Sequence, residues 1–303
     1  FTSKNLPLED GAAWFAAKHA NLDIPLDEYL RRQGASDEAL RLIGIAPNTT
    51  NHSTTSALWA LRDAQRRRDA KVRGMMEIPG GNSRIAEAMS GYLKGPIHKG
   101  SPVTGIRSHA SGVEVTCASG ASYAGDYGVV TIPFSVLRTI AIDPPFEGPQ
   151  KEAVEQIPYT PITQFFMVPK RAYWDEDRLP PLMWTDTPIE RIFPQRDAEG
   201  KLLSLVCWID GENARKLDTM PEADQIAYVT TELARIRPST KDNVEVARVV
   251  SWARDPFARG AYANFLPGQV SRLRPVMAKP WQRLYFAGEH TAVAEPGMEG
   301  AIE

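Results

Sequence analysis

A mixed α/β fold is what this 303-residue sequence predicts, and three observations carry the prediction. Apolar residues recur at three- and four-residue spacing from about Leu8 to Lys71, as helices require. Short Val/Ile/Thr runs bounded by Gly and Ser then follow, as strands do. The closing stretch LYFAGEHTAVAEPGMEGAIE, Leu284 to Glu303, goes from an apolar run through a glycine and an acid into a helix start.

The elements follow in order. DGAAWFAAKHANL, PLDEYLRRQGASDEALRLI and TSALWALRDAQRRRDAKV are helical in period and are separated by Pro and Asn/Thr breaks. At MMEIPGGNSRIAEAMSGYL the spacing predicts strand, turn and helix, with Pro79-Gly80-Gly81-Asn82 as the turn and Ser83 capping a helix through Leu93. PVTGIRSHASGVEVTCASGASYAGD reads as an antiparallel meander, whereas YGVVTIP is continuous enough for a buried strand. Between Lys151 and Arg254, QFFMV, LLSLVCWI and VARVVSW read as strands and EADQIAYVTTELARI as an amphipathic helix.

With 43% hydrophobic and 24% charged residues the chain can bury a large core, and its length predicts two domains. A net charge of −2 gives no footprint for a nucleic-acid partner. Arg66-Arg67-Arg68, the one dense basic run, reads as a solvated helix face. Cys117 and Cys207 lie singly in strand-like contexts and read as core filler rather than as a disulfide framework or thiolate metal site. The five histidines show no ligand spacing, so no metal is expected. No window approaches the roughly 20 apolar residues of a membrane span, and no signal peptide is recognised. Asn48 and Asn51 head glycosylation triplets that matter only in a secreted protein. Compartment is otherwise open, with the cytoplasm favoured.

The closing stretch sets out its own chemistry. A strand ending at Gly288 and leading into a helix that begins near Gly297 or Met298 presents unpaired N–H groups to a group that becomes negative. Glu289, just past the strand, is placed to accept hydrogen bonds from ligand hydroxyls. The alternative is a plain strand-to-helix turn with Glu289 solvated and Gly297 serving only packing. His290 beside Glu289 on an extended turn would point elsewhere. Asp126 reads as a turn residue, and Arg107, Arg191 and Arg259 are open candidates for a substrate carboxylate.

RLYFAGEHTAVAEPGMEGAIE resembles the C-terminal flavin-binding signature of FAD-dependent amine oxidases, the family of monoamine, polyamine and L-amino acid oxidases. IPGGNSRIAEAM, DYGVVTIPFSVLRTIAIDPPF and SWARDPFARGAYANFLPG resemble the same family in the same order. The resemblance implies a doubly wound FAD-binding domain interleaved with a substrate domain of mixed sheet flanked by helices. On that reading residues 1–78 are the helix-rich part of the substrate domain, 79–153 part of the FAD domain, 154–254 the substrate sheet and helices, and 255–303 the C-terminal FAD part. It further implies that Val103 meets the adenine, that Gly288 and Glu289 lie near the ribityl and pyrophosphate, and that Gly297 and Met298 face the flavin pyrimidine. Trp252 and Tyr262 would form an aromatic cage for the amine.

Four departures sharpen these expectations. No Gly-x-Gly-x-x-Gly occurs, so the N-terminal ADP-binding unit is expected to be missing by truncation, by cleavage or by residence on another chain. Gln164 stands where many members place a lysine that holds a water near flavin N5. Ala261 replaces the cysteine that bonds the flavin in some monoamine oxidases, so FAD should be non-covalent. Gly297 replaces a second cage aromatic.

The resulting expectation is an FAD-dependent amine oxidase: hydride passes from the α-carbon to flavin N5, the imine hydrolyses, and dioxygen reoxidises the flavin to give peroxide. The expected partners are a small amine, dioxygen and either a second copy or a chain carrying the ADP-binding half, with no nucleic acid or membrane. A flavin dehydrogenase or desaturase using another acceptor is the runner-up, and a non-catalytic, partner-dependent subunit is the alternative from another class.

Overall fold

The computed structural model describes residues 11–44, 49–69, 78, 80–197, 199–294 and 297–303. Two 3-10 helices, Gly11–Phe15 and Ala17–Leu22, precede α1 (Leu26–Arg32), α2 (Asp37–Ile43) and α3 (Ala57–Asp69). Ser36 caps α2, its Oγ accepting from Ala39 N at 3.2 Å, which satisfies one of the donors that a helix start leaves unpaired. The helix α4 (Ser83–Ser90) starts at Ser83 rather than being capped by it. Asn82 holds the cap position without a side-chain bond, and the helix stops three residues before Leu93. Gly80 and Gly81 are both in the left-handed region, as the anticipated turn needs, whereas the strand expected at Met75–Glu77 falls outside the described residues.

β1 (Val103–His109), β2 (Gly112–Cys117) and β3 (Ser122–Gly125) form the antiparallel meander that the sequence suggests. β4 (Gly128–Val130) is shorter than the apolar run YGVVTIP and is buried on one face only: Val130 is 5% exposed and Val129 68%. Three pleated residues alternate sides, and only one side of this sheet is covered. After α5 (Phe134–Leu137), β5 (Ala141–Asp143) adds to β1 in parallel, and α6 (Gly148–Gln156) follows.

A five-stranded sheet of order β10-β6-β9-β8-β7 is built from β6 (Ile162–Pro169), β7 (Met183–Trp184), β8 (Arg191–Arg196), β9 (Leu202–Asp210) and β10 (Val244–Ser251). Its described strands all pair antiparallel, where the resemblance implied a mixed sheet; short reversals join β7, β8 and β9, and β6 and β10 are brought in by longer connections. The helices α7 (Tyr173–Asp177), α8 (Gly211–Asp218) and α9 (Glu222–Ile236) accompany it. The chain closes with α10 (Gln269–Met277), β11 (Leu284–Phe286), a 3-10 turn at Glu289–Thr291 and α11 (Gly297–Ile302). β11 pairs in parallel with β4, Leu284 opposite Gly128 and Phe286 opposite Val130.

Two apolar cores result. One joins Trp14, Leu58 and Leu61 to Ile106, Val130, Phe134, Leu273 and Phe286, so the helix-rich segment packs against the strands that carry the closing stretch. The other, Phe165, Ile192, Leu205, Val229 and neighbours, lies between the five-stranded sheet and α8 and α9. Asp23 fastens the first core: it accepts from Ser56 Oγ at 2.6 Å and from Ser271 N and Oγ at 2.9 and 3.0 Å. Cys117 and Cys207 are buried and unpaired, as expected of core filler. Among the described residues no helix is long and apolar enough to cross a membrane.

Candidate active site

The site begins where β11 ends. Gly288 sits at φ 122°, where an added Cβ would strain the backbone and approach His290 Cε1 to 3.3 Å. The chain then turns through Glu289–Thr291 as a 3-10 helix, not the extended turn that the sequence suggested. That turn sends His290 into the core, where its ring lies 4.4 Å from Phe134. Burial, assisted by the Arg274 charge, pushes His290 down to about 4, so the imidazole is neutral at physiological pH.

Glu289 is half-buried rather than fully solvated. Burial lifts its carboxyl from 4.5 to about 7, against the opposing pull of the Ala263 N–H, Arg274 and the Gly297 N–H. The Ala263 N–H donates to Oε2 at 3.3 Å. Arg274, from α10, is itself pushed down to about 10 by burial and donates to the carbonyls of Thr291 (2.9 Å) and Ala292. No signal in the closing stretch announced Arg274, because it reaches the site from a different helix.

A second strand of backbone forms the facing wall. Trp252 N donates to Ile162 O (2.9 Å), Gly260 N to Trp252 O (2.8 Å) and Ala261 N to Thr160 O (2.9 Å), so the segment 252–262 is zipped to the start of β6. Gly260, at φ 116°, allows this approach, since a Cβ there would lie 2.8 Å from Tyr159 Cβ. Tyr262 follows, 39% exposed, with its phenol raised by burial and by the Glu289 charge. Trp252 donates Nε1–H to Gln164 Oε1 at 2.8 Å, which locks the two predicted residues to each other.

Two cavities open between these walls. One, about 270 Å³, is lined by Thr55, Trp59, Asp63, Arg67, Tyr262, Ala263, Glu289 and Gly297. The other, about 360 Å³, is lined by Tyr159, Gly260, Tyr262, Gly288, Glu289, His290, Gly297 and Met298 among others. Tyr262, Glu289 and Gly297 border both. The closing stretch therefore delivers Gly288, Glu289, Gly297 and Met298 to one place with Tyr262. Gln164 and Trp252 line neither cavity but are tied to the wall through Gly260, and Val103, at the start of β1, also lines neither.

Sequence reasoning missed the α3 contribution. Trp59, Asp63 and Arg67 repeat every four residues and so share a helix face, yet the run ending in Arg66–Arg68 read as a solvated one. The arginines nominated for a carboxylate stand elsewhere: Arg107 pairs with Asp143, Arg191 is buried with Asp210, and Arg259 is exposed. Asn51 uses its side-chain oxygen locally, accepting from Thr54 N at 2.9 Å, and Asn48 lies outside the described residues. Among the described residues no group of acids, histidines and cysteines could hold a metal.

The donor set fits a flavin. A partly buried carboxyl that is offered only backbone N–H groups retains capacity for hydroxyl donors, and glycines at 288, 260 and 297 let a planar ligand approach the main chain. Comparison with known proteins agrees. The chain is 25% identical over 292 residues to L-amino acid oxidase Cdc18 of Crotalus durissus cumanensis, covering 91% of this chain and 58% of that protein. It is 27% identical over 237 residues to an L-amino-acid oxidase of Demansia vestigiata, covering 75% and 46%. It thus spans about half the length of these relatives. Its fold is that of putrescine oxidase bound to putrescine, with a TM-score of 0.82 at 19% identity over 97% of this chain and 69% of that one. Residues 6–303 match the sequence profile of the flavin containing amine oxidoreductases, and the chain belongs to that family.

Proposed function

We propose that the protein to which this chain belongs oxidises a small amine with non-covalently bound FAD. The observation that carries the reading is the convergence of Tyr262, Glu289 and Gly297 on both cavities. FAD, when bound, supplies the acceptor for hydride from the amine α-carbon and passes the electrons to dioxygen, giving peroxide. The chain's own residues bind and orient. Glu289 accepts from cofactor hydroxyls, Gly297 and Met298 bring main-chain N–H groups to the ring, and Gly288 lets the backbone come close. Tyr262 would hold the neutral amine, with Trp252, bonded to Gln164, as its expected cage partner, and Ala261 offers no thiol for a covalent link. Val103 would meet the adenine.

The ADP-binding half would come from sequence not included in this chain, or from a second chain, and would add to the β4–β11 pair, one face of which carries Val129 (68% exposed) and Tyr285 (45%). The division into 1–78, 79–153, 154–254 and 255–303 is proposed on the same footing. One observation favours the runner-up, a dehydrogenase or desaturase using another acceptor. Gln164 already spends its oxygen on Trp252, leaving only its NH2 for a water.

Purified full-length protein should be yellow, be bleached anaerobically by an amine, and recover its colour with oxygen. Its rate of reduction should rise toward alkaline pH, since a protonated nitrogen opposes hydride loss. A colourless protein that takes up no FAD would overturn the reading, and slow recovery in oxygen would favour the runner-up.

A further inference from the structure

The basic run Arg66-Arg67-Arg68 has a use that the solvated-face reading leaves out. The inner end of α3 is fixed beside the aromatic wall: Ser56 N donates to Phe265 O at 2.8 Å, and the Trp59 ring lies 5.0 Å from that of Phe265. The same segment carries Tyr262 and Ala263 into the smaller cavity. From Trp59 outward, Asp63 and Arg67 follow at intervals of four residues, so at 1.5 Å per residue they lie about 6 and about 12 Å farther along the axis. Their side chains are 29% and 69% exposed, and all three residues line the cavity, which makes Arg67 its rim.

Asp63 bonds both neighbouring arginines: Oδ1 accepts from Arg66 Nη2 at 3.0 Å and Oδ2 from Arg67 Nε at 2.7 Å. Arg67 therefore spends Nε on Asp63 while its two terminal nitrogens have no hydrogen bond among the described residues. A planar guanidinium with its outer donors unspent is suited to a carboxylate. The far ammonium of a diamine would instead meet the Arg67 guanidinium, a like charge.

We propose that the cavity selects amines carrying a carboxylate at the far end, with Arg67 as the residue that recognises it. The substrate class is thus the ω-amino acids rather than the diamines. The inference rests on the amine-oxidation reading for its choice of nitrogen, and on α3 alone for its choice of anion.

The experiment compares 6-aminohexanoate, hexylamine and 1,6-diaminohexane as anaerobic reductants of the full-length, FAD-loaded protein. It adds hexanoate, which carries no nitrogen to oxidise, titrated calorimetrically. The ω-amino acid should show an apparent Kd roughly tenfold or more below that of hexylamine, with the diamine weakest. Arg67→Ala should erase that order, and Arg67→Glu should reverse it in favour of the diamine. Hexanoate should bind wild type and bind neither variant. Failure of all three amines to bleach the flavin, with hexanoate still bound through Arg67, would overturn the amine-oxidation reading and leave the anion site standing. Equal or better use of the diamine, or hexanoate binding unchanged in Arg67→Ala, would overturn the anion site.

Discussion

Replacing Glu289 with Gln tests how the site treats its carboxyl before any ligand arrives. The side chain keeps its shape and loses its titration. In the folded, flavin-free protein burial raises Glu289 from 4.5 to about 7. The folded state thus holds the proton more tightly than the unfolded chain does. The stability this contributes is complete below pH 4.5 and is lost as pH rises through 7. At about 1.4 kcal/mol per pH unit the full effect is about 3 kcal/mol, of which about 2.5 kcal/mol falls between pH 5 and pH 8. Asp210, pushed up to about 7 by burial and by Glu190, acts in the same direction, whereas His290, pushed down to about 4, makes stability rise as pH climbs toward 6.5, so the wild-type curve alone does not isolate Glu289. Urea unfolding of flavin-free wild type and Glu289→Gln at pH 5, 6, 7 and 8 does isolate it. The variant should match wild type near pH 5 and exceed it by about 2–3 kcal/mol at pH 8. Parallel curves, offset by a constant, would refute the claim that Glu289 is desolvated by the folded chain.

Three other changes probe the supporting structure. Arg191→Met should leave Glu190 and Asp210 buried without their shared cation and cost about 3–5 kcal/mol by chemical denaturation at pH 7; a loss below about 1 kcal/mol would show that the cluster is not what holds these acids. Gly260→Ala should lower stability by about 2 kcal/mol or more, because φ 116° and the 2.8 Å approach to Tyr159 Cβ leave no room for a methyl group. A melting temperature equal to wild type would contradict it. Trp252→Phe removes the donor to Gln164 and should reduce kcat/KM for amine in the full-length enzyme by roughly fivefold, the loss of about one hydrogen bond; an unchanged value would detach that pair from the site.

Much of the site could be read because it is local in sequence. Strand, glycine, acid and helix start lie within 20 residues, and the chain folds them into one corner, so Gly288, Glu289, Gly297 and Met298 were found together. Tyr262 arrived by resemblance and took its place on the same cavities. What could not be read depends on distant packing. Arg274 reaches Glu289 only because α10 docks there, and its helix pattern gives no hint of that neighbour. The α3 stripe was visible as a period of four, but a period states which residues share a face and not what the face looks at. The length of β4 failed for a related reason: an apolar run fixes no strand boundary, and Val129 shows that it does not guarantee two covered faces either.

Two acids in this chain, Asp210 and Glu289, are both pushed up to about 7, so perturbation alone does not choose between them. Geometry does. Around Asp210 the polar capacity is spent within the fold. Its carboxylate is bonded to Arg191, and the neighbouring Glu190 accepts from Asn213 Nδ2 at 2.9 Å and from Asp210 N at 3.1 Å. Neither acid lines a cavity described above, and Gly211, directly after Asp210, packs its Cα face against the Thr49 and Thr50 carbonyls with no room for a side chain. That cluster ties β8 to β9 and to the start of α8. Glu289 differs in both respects. Its partners are main-chain N–H groups, Arg274 acts on it through charge rather than through a hydrogen bond, and it borders both cavities. An acid with unspent oxygens beside an opening is the one that a ligand's hydroxyls can satisfy, and that satisfaction would return to the carboxylate the stabilisation that burial has taken from it.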